Sequence, residues 1–299
     1  MRYAVSLPNF GTGVNAALVA EWAAVAEAAG WDGFFLWDHL FAFAPGPVDA
    51  VDPWIALAAA ACRTTAIRLG TLVTPLPRRR PVVLARQTVS LDRLSQGRLV
   101  LGVGSGGGPF EWDYCGEQAD PIVRGAMLDE HLDLLVRLWS GEPVRHEGRH
   151  YRTAGPDWAA RCYPPPIQRP RIPIWVAGTW PRTRPFRRAA RWDGVVPMRL
   201  DGKWEVADTA AVAARISSLR TGDSSSAGAS DVGFDTAAFD IAVPGESDGS
   251  DSSRLDRYAE HERAGATWWV EAVHPWRYGW TVGRSWPLAA MRERIEAGP

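Results

Sequence analysis

The 299-residue sequence predicts a single α/β domain, a (β/α)8 TIM barrel. Eight short apolar runs are each followed by a segment with the periodicity of an amphipathic helix, and strands that alternate with helices form parallel sheets. This alternation resumes unchanged after a proline-rich passage near residue 150, where a boundary between two domains would fall. A chain of this length, 46% hydrophobic, fits two small domains or one large barrel, and the unbroken alternation favours the barrel.

The first half of the chain supplies four strand–helix units. Leu18, Trp22 and Val25 share one face of the first helix, which Gly30 ends. Asp52 followed by Pro53 is typical of a helix N-terminus, with the carboxylate as cap and the proline in the first turn. The predicted bounds are strand 3–7 with helix 16–29, strand 33–37 with helix 54–63, strand 67–73 with helix 81–94, and strand 99–101 with helix 123–139.

The second half continues the alternation after an insertion between strands 4 and 5. Residues 142–173 hold a predicted hairpin at 144–151 and then many prolines, so we expect this excursion to lie outside the barrel core. Residues 221–233 are rich in Ser, Gly and Asp and are predicted to form a mobile loop. The predicted bounds are strand 174–177 with helix 184–191, strand 194–197 with helix 208–219, strand 239–243 with helix 255–264, and strand 267–273 with helix 287–296.

Composition and charge exclude several classes of protein. A net charge of −1 gives no indication of a nucleic-acid or anionic-membrane partner. Cys62, Cys115 and Cys162 lie far apart with no Cys-x-x-Cys pair, so neither a disulfide framework nor a zinc site is expected. The apolar run 55–62 is too short to span a bilayer. The first residues enter a strand directly, without a signal peptide, so a cytoplasmic location is expected.

A glycine-rich stretch follows the fourth predicted strand. Gly102, Gly104 and Gly107 match the letters of the dinucleotide fingerprint G-x-G-x-x-G, which requires a helix immediately after it. Residues 109–114 (Pro-Phe-Glu-Trp-Asp-Tyr) have no helical periodicity. We therefore interpret this stretch as a loop where the backbone approaches a ligand closely, and not as a Rossmann turn.

Active sites of such barrels lie at the carboxyl ends of the strands. In this chain only His39 and His274 are histidines at predicted strand ends, and Asp38 is the single acid there. A two-carboxylate hydrolase or a metal cluster would have too few ligands, so no metal site is predicted. Glycines, aromatic residues and one or two imidazoles suit a flat organic cofactor that performs the difficult chemistry.

The motifs at these positions resemble those of the bacterial-luciferase-like family of flavin-dependent oxidoreductases. The motifs are Leu-Pro-Asn-Phe-Gly at 7–11, Trp-Asp-His at 37–39, Gly-Thr-Leu-Val-Thr-Pro at 70–75, the run 91–99, and the mid-chain runs 138–148 and 168–178. They occur in order, from residue 5 to about residue 200. Beyond Gly202 the likeness is one of architecture alone.

The resemblance implies a barrel that binds FMN or the deazaflavin coenzyme F420. It places a non-proline cis peptide at Leu72-Val73, in a bulge of the third strand behind the cofactor ring, and it makes His39 the proton donor or acceptor. Backbone N–H groups after the fifth strand would bind the phosphate. The implied cofactor-binding residues are Leu72, Val73, Thr74, Gly104, Ser105, Gly106, Ala177, Gly178 and Thr179. The implied substrate pocket comprises Asn9, Trp37, Trp180, His274 and Trp276.

Each candidate also has a structural interpretation. His39 would in that case hydrogen-bond a neighbouring strand, His274 would only pack, and Asp38 would orient His39 or cap a loop. The arginines at 78–80 are predicted to be a solvated loop, the alternative being contact with an anionic substrate or the acidic tail of a deazaflavin. Structural or solvent roles are predicted for His131, His146 and His150.

One departure from the family pattern concerns the fourth-strand loop. Deazaflavin sugar-phosphate dehydrogenases of this family carry a glutamate there as a proton donor, whereas this chain has Gly107, and its nearest acid is Glu111. That particular activity is therefore not favoured, although cofactor binding is unaffected.

The leading prediction is a luciferase-like monooxygenase that uses reduced FMN and O2 on a small organic substrate, with a separate reductase supplying the reduced cofactor. Hydride transfer with coenzyme F420, reduced by a deazaflavin reductase, is the alternative enzyme, and a non-catalytic flavin-binding paralogue is the alternative of another class. The resemblance also implies a homodimer.

Overall fold

Eight parallel strands close into the predicted barrel in a computed structural model that describes residues 1–41, 48–222, 239–247, 251–281 and 284–299. The strands are β1 (Arg2–Leu7), β2 (Gly33–Leu36), β3 (Arg68–Pro75), β4 (Leu99–Gly104), β7 (Ile174–Thr179), β8 (Gly194–Met198), β9 (Asp240–Gly245) and β10 (Trp268–Ala272). A separate antiparallel pair, β5 (Ala154–Gly155) and β6 (Trp158–Ala159), lies between β4 and β7 in the chain. The barrel order is β1-β10-β9-β8-β7-β4-β3-β2, and the loop at 221–233 falls largely outside the described residues.

Helices follow the barrel strands as the periodicity predicts. They are α1 (Ala16–Ala28), α2 (Pro53–Arg63), α3 (Pro81–Leu94), α4 (Pro121–Trp139), α5 (Thr183–Ala189), α6 (Val206–Gly222), α7 (Asp251–Arg263) and α8 (Leu288–Glu296). Asp52 caps α2 by accepting hydrogen bonds from the Trp54 and Ile55 amides at 2.9 and 3.0 Å. Asp120 and Pro121 repeat this arrangement at the start of α4.

The barrel interior is closed by large side chains. Phe35, Trp175 and Trp268 pack against one another inside the barrel, with ring centroids 5.2–6.3 Å apart. A second, larger core lies between the barrel and its helices. Because these side chains fill the interior, the described part of the barrel is a packed core and not a channel.

Two details of the predicted elements differ in the structure. β4 extends to Gly104 rather than ending at residue 101, because glycines within it allow the neighbouring backbone to approach: a Cβ on Gly102 would lie 2.0 Å from the Thr71 carbonyl oxygen. The hairpin predicted at 144–151 is reduced to an antiparallel bridge between Glu147 and Arg152 with no regular strand, and the β5–β6 pair is a separate hairpin that follows it.

Candidate functional site

His39 lies just beyond the end of β2, and Asn9, just beyond β1, holds it in place. The Asn9 side chain donates to the His39 carbonyl at 2.8 Å and to the Val51 carbonyl at 2.9 Å, and it accepts from the His39 amide at 3.0 Å. Asn9 is 1% exposed, and these hydrogen bonds give the polar atoms of its buried side chain their partners. The structure therefore uses Asn9 to fix the backbone of His39.

The His39 ring meets an acid that follows β4, the second strand along the barrel from β2. Nδ1 of His39 lies 3.2 Å from Oε1 of Glu111, which stands in a short 3-10 turn after β4. The same oxygen accepts the Leu40 amide at 2.6 Å, and Oε2 accepts from Arg78 at 2.6 Å. Glu111, four residues beyond Gly107, therefore brings a carboxylate to the His39 ring.

Glu111 is ionised in this setting. Its side chain is 1% exposed, and burial by itself raises the carboxyl pKa. The hydrogen bond with His39, the charges of His39 and Arg78 and the Leu40 amide outweigh burial, and they bring the pKa below its usual value. A carboxylate at Nδ1 favours the tautomer with the proton on Nδ1.

The arginine run 78–80 is not the solvated loop that the sequence predicted. Arg78 is 2% exposed and pairs with both Glu111 and Asp38, and Arg79 donates to the two Asp38 oxygens at 2.6 and 2.8 Å. Arg80 alone is exposed. The reason is the short turn between β3 and α3, which holds Arg78 and Arg79 over two buried carboxylates and compensates their charge.

Asp38 does not orient His39, although a structural role was predicted for it. Its carboxylate accepts from Arg78, Arg79 and the Thr74 hydroxyl, the last at 2.9 Å. The Thr74 hydroxyl also contacts that of Thr71 at 3.0 Å. Asp38 therefore links the end of β2 to the end of β3, and Glu111 is the residue that orients the imidazole.

The end of β3 forms an apolar platform at the mouth. The peptide bond Leu72-Val73 is cis, as the resemblance implied, and the register with β4 shifts between Thr71 and Thr74. Leu72 and Val73 are half-buried, as is Ala177 on β7. Apolar side chains left partly open at the mouth of a filled barrel fit the face of a flat ring system.

The glycines on either side of this platform fit a cofactor as well. A Cβ on Gly104 would lie 2.9 Å from Val73, so only glycine lets the strand end pass so close to the platform. Gly107 faces open space, with nothing within 4 Å of a Cβ placed there. Gly178 and Thr179, predicted to form a turn, are instead the last residues of β7, and a Cβ on Gly178 would lie 3.1 Å from α5, so the strand end packs directly on that helix.

Aromatic side chains enclose the part of the mouth next to His39. Phe10 lies at their centre, with its ring centroid 5.9–6.2 Å from those of His39, Trp37 and Trp276. Trp37 and Trp276 are parallel to within 9°. Trp180, by contrast, packs against Phe186 near β7, on the other side of the barrel. Of the predicted pocket residues, only Trp37, His274 and Trp276 form one wall.

His274 has contacts at both ring nitrogens. Nε2 lies 3.0 Å from Glu246, and Nδ1 accepts from the Arg277 amide at 3.3 Å. The imidazole thereby caps the short 3-10 turn that carries Trp276. Its ring stands 5.5 Å from Trp276 and 6.2 Å from Trp37.

The remaining histidines lie outside the mouth. Burial lowers the pKa of His131 on α4 to about 3, so this ring is neutral. His146 pairs with Glu130 at 2.9 Å, and the Glu130 carboxylate also accepts the His150 amide. Among the described residues, no group of three or more His, Cys, Asp or Glu side chains is arranged to hold a metal, and no helix is long and apolar enough to cross a membrane.

Comparison with known proteins gives matches to the same family. The model of the luciferase-like monooxygenase family matches residues 1–248. An uncharacterized protein of Mycobacterium tuberculosis is 34% identical over 197 residues, which cover 60% of this chain and 66% of that protein. An F420-dependent glucose-6-phosphate dehydrogenase of Nakamurella multipartita is 36% identical over 166 residues, 54% of this chain and 47% of the relative. The chain thus spans about half to two thirds of the length of these relatives.

A solved structure shows the same fold over nearly the whole chain. An F420-dependent secondary alcohol dehydrogenase, in complex with an F420–acetone adduct, superposes with a TM-score of 0.71. It covers 92% of this chain and 94% of its own, at 16% sequence identity. This likeness is one of fold.

Proposed function

Because the chain belongs to the luciferase-like monooxygenase family, we propose that it is an oxidoreductase that transfers hydride between coenzyme F420 and an organic alcohol or carbonyl compound. The pairing of His39 with the ionised Glu111 carries this proposal. An alcohol that loses hydride from carbon must also lose its hydroxyl proton, so the enzyme needs a base at the substrate oxygen. His39 has the fixed tautomer that this role requires.

The residues at the mouth fit the cofactor. Leu72, Val73 and Ala177 would support the ring, Gly104 would allow its close approach, and the end of β7 at Gly178 would offer backbone N–H groups to the phosphate. The bound deazaflavin supplies the site that accepts or donates the hydride. The names of two of the similar proteins, a glucose-6-phosphate dehydrogenase and a secondary alcohol dehydrogenase, support this cofactor.

His39 exchanges the companion proton through Nε2. In the oxidative direction this nitrogen takes the hydroxyl proton, and the imidazolium that forms is stabilised by the Glu111 carboxylate at Nδ1. Arg78 compensates the charge of Glu111 while His39 is neutral. Phe10, whose ring lies 5.9 Å from that of His39, gives one side of the imidazole an apolar neighbour.

Monooxygenation with reduced FMN and O2 is the second candidate function. The observation that favours it is the same wall of Phe10, Trp37 and Trp276, because a dry, apolar pocket protects an oxygenating cofactor from water. An imidazole with a fixed tautomer is not required for oxygen insertion in the way that it is for hydride transfer. A separate reductase and a homodimer stay predictions under either function.

The test is to titrate the purified protein with coenzyme F420 and with FMN and to follow ligand fluorescence. We expect micromolar or tighter binding of F420, and binding of FMN alone would contradict the proposal. Rapid mixing of the F420 complex with a panel of secondary alcohols and glucose 6-phosphate then reports hydride transfer. Replacing His39 by Asn should slow this step by about 100-fold, whereas His146→Gln, outside the mouth, should leave it unchanged.

A further inference from the structure

The glycine-rich loop after β4, residues 104–108, packs against the side chain of Trp112. This side chain is 1% exposed, and its Nε1 donates to the Gly107 carbonyl at 3.3 Å. Its ring fills the space beside Gly106, where a Cβ would lie 2.0 Å from the ring, and Gly106 has a φ of +77°. The left-handed turn of the loop and the indole are therefore fitted to each other.

Arg124, in the first turns of α4, covers the other face of this indole. The centre of its guanidinium lies 4.4 Å from the Trp112 ring centroid. Nε donates to the Ser105 carbonyl at 3.1 Å, and Nη1 donates to the carbonyls of Gln118 and Ala119. Arg124 is 8% exposed and forms no salt bridge with a carboxylate in the described part of the chain. Its hydrogen bonds therefore go to main-chain carbonyls between Ser105 and Ala119.

The same segment carries the acid of the site. Glu111 precedes Trp112 directly and reaches His39 and Arg78, while Trp112 reaches the loop. A displacement of Trp112 would therefore move both the loop at 104–108 and the carboxylate at His39. Arg124 is the side chain that prevents this displacement from the α4 side.

We propose that Arg124 is a positioning residue that fixes the loop 104–108 and the Glu111 turn in their cofactor-ready arrangement, acting through Ser105 and Trp112. This inference rests on the proposed function, since it assumes that the loop borders the cofactor. A loop that is already ordered lowers the entropic cost of cofactor binding, because the loop does not have to be ordered in that step. Arg124 therefore acts on cofactor affinity without touching the cofactor.

The test compares Arg124→Ala with Arg188→Ala. Arg188 is a matched control because it also donates to a main-chain carbonyl of α4, that of Gly125 at 3.0 Å, and pairs with Asp129, but it does not touch residues 104–112. Amide hydrogen exchange of cofactor-free protein should be about tenfold faster in peptides covering 99–113 for Arg124→Ala only. The dissociation constant for F420 should rise about tenfold in the same variant, a change that corresponds to 1.4 kcal/mol.

Chemical rescue separates positioning from general loss of stability. Millimolar methylguanidinium should restore slow exchange and F420 affinity to Arg124→Ala and leave Arg188→Ala unchanged. If Arg124→Ala does not fold, Arg124→Lys takes its place, because lysine keeps the charge but lacks the planar donor group. Unchanged exchange and affinity, or an equal effect of Arg188→Ala, would overturn the inference alone. Failure of the unaltered protein to bind F420 would instead overturn the proposed function.

Discussion

His39 and Glu111 stand 72 positions apart in the sequence, and their side chains meet with Nδ1 and Oε1 separated by 3.2 Å. One residue ends β2 and the other follows β4, two strands that are separated in the barrel by β3. Arg78, from the turn after β3, lies between them and pairs with the same carboxylate. Three consecutive strands thus each give one charged or titratable group to a single cluster.

Replacing Glu111 by Gln tests the role of this contact in proton exchange. The amide removes the negative charge that fixes the His39 tautomer and stabilises its protonated form, so we expect the hydride-transfer rate to fall by about 100-fold. The measurement is single-turnover kinetics with the F420 complex. Glu117→Gln, an exposed acid in the same loop, is the control and should retain the full rate. Equal rates in both variants would remove Glu111 from the mechanism.

Arg78 and Arg80 offer a comparison of stability within one run of arginines. Arg78→Met leaves Glu111 and Asp38 buried without its charge, and we expect a loss of about 3–5 kcal/mol in the free energy of unfolding. Arg80 is exposed, so Arg80→Met should change stability by less than about 0.5 kcal/mol. Urea denaturation measures both, and similar small losses would show that the arginines are solvated after all.

Two adjacent glycines in the loop should differ in how much an alanine substitution lowers the free energy of unfolding. Gly106→Ala places a Cβ 2.0 Å from Trp112 at a φ of +77°, so we expect the free energy of unfolding to fall by about 2 kcal/mol or more. Gly107→Ala meets nothing within 4 Å and should be within about 0.5 kcal/mol of the unaltered protein. Thermal unfolding with matched F420 titrations distinguishes them. Equal stability of the two variants would contradict the packing of Trp112 beneath Gly106.

The neutral His131 makes stability depend on pH. Its folded pKa of about 3 lies below the ordinary histidine value of about 6.5, so the unfolded chain binds a proton more readily between these values. Stability is therefore lost as pH falls below about 6.5, and about 2 kcal/mol is lost by pH 5 at 1.36 kcal/mol per pH unit. Denaturant titrations at pH 7 and pH 5 check this, and His131→Gln should lose that much less over the same interval. An equal pH dependence in both proteins would argue against the buried neutral ring.

Local patterns were sufficient to predict the barrel. Runs such as Gly33–Leu36 are apolar throughout because both faces of a barrel strand are buried, and Asp52 with Pro53 marks a helix start through short-range hydrogen bonds. The Leu72-Val73 cis bond was predicted from the family motif and is present. His39 at a strand end followed from the rule that sites lie at the carboxyl ends of the strands.

The partners of these residues did not follow from local pattern. Arg78 and Arg79 look like a solvated run in sequence, and Glu111 lies in a stretch without periodicity. The contact between Arg124 and Trp112 could not be predicted from the sequence, since an arginine in a helix and a tryptophan in a loop each have many ordinary roles. A carboxylate and a guanidinium at distant positions reveal a pair only once burial brings them together.

The sequence by itself determined the order of strands and helices, the closure into a barrel and the edge at which the candidate site lies, because hydrophobic periodicity and turn residues act over short distances. Only the tertiary structure decided which acid serves His39, which arginines are buried and which side chain holds the glycine loop. Those choices depend on the stagger of neighbouring strands and on side-chain reach across the mouth, and charges buried there are stable only in pairs.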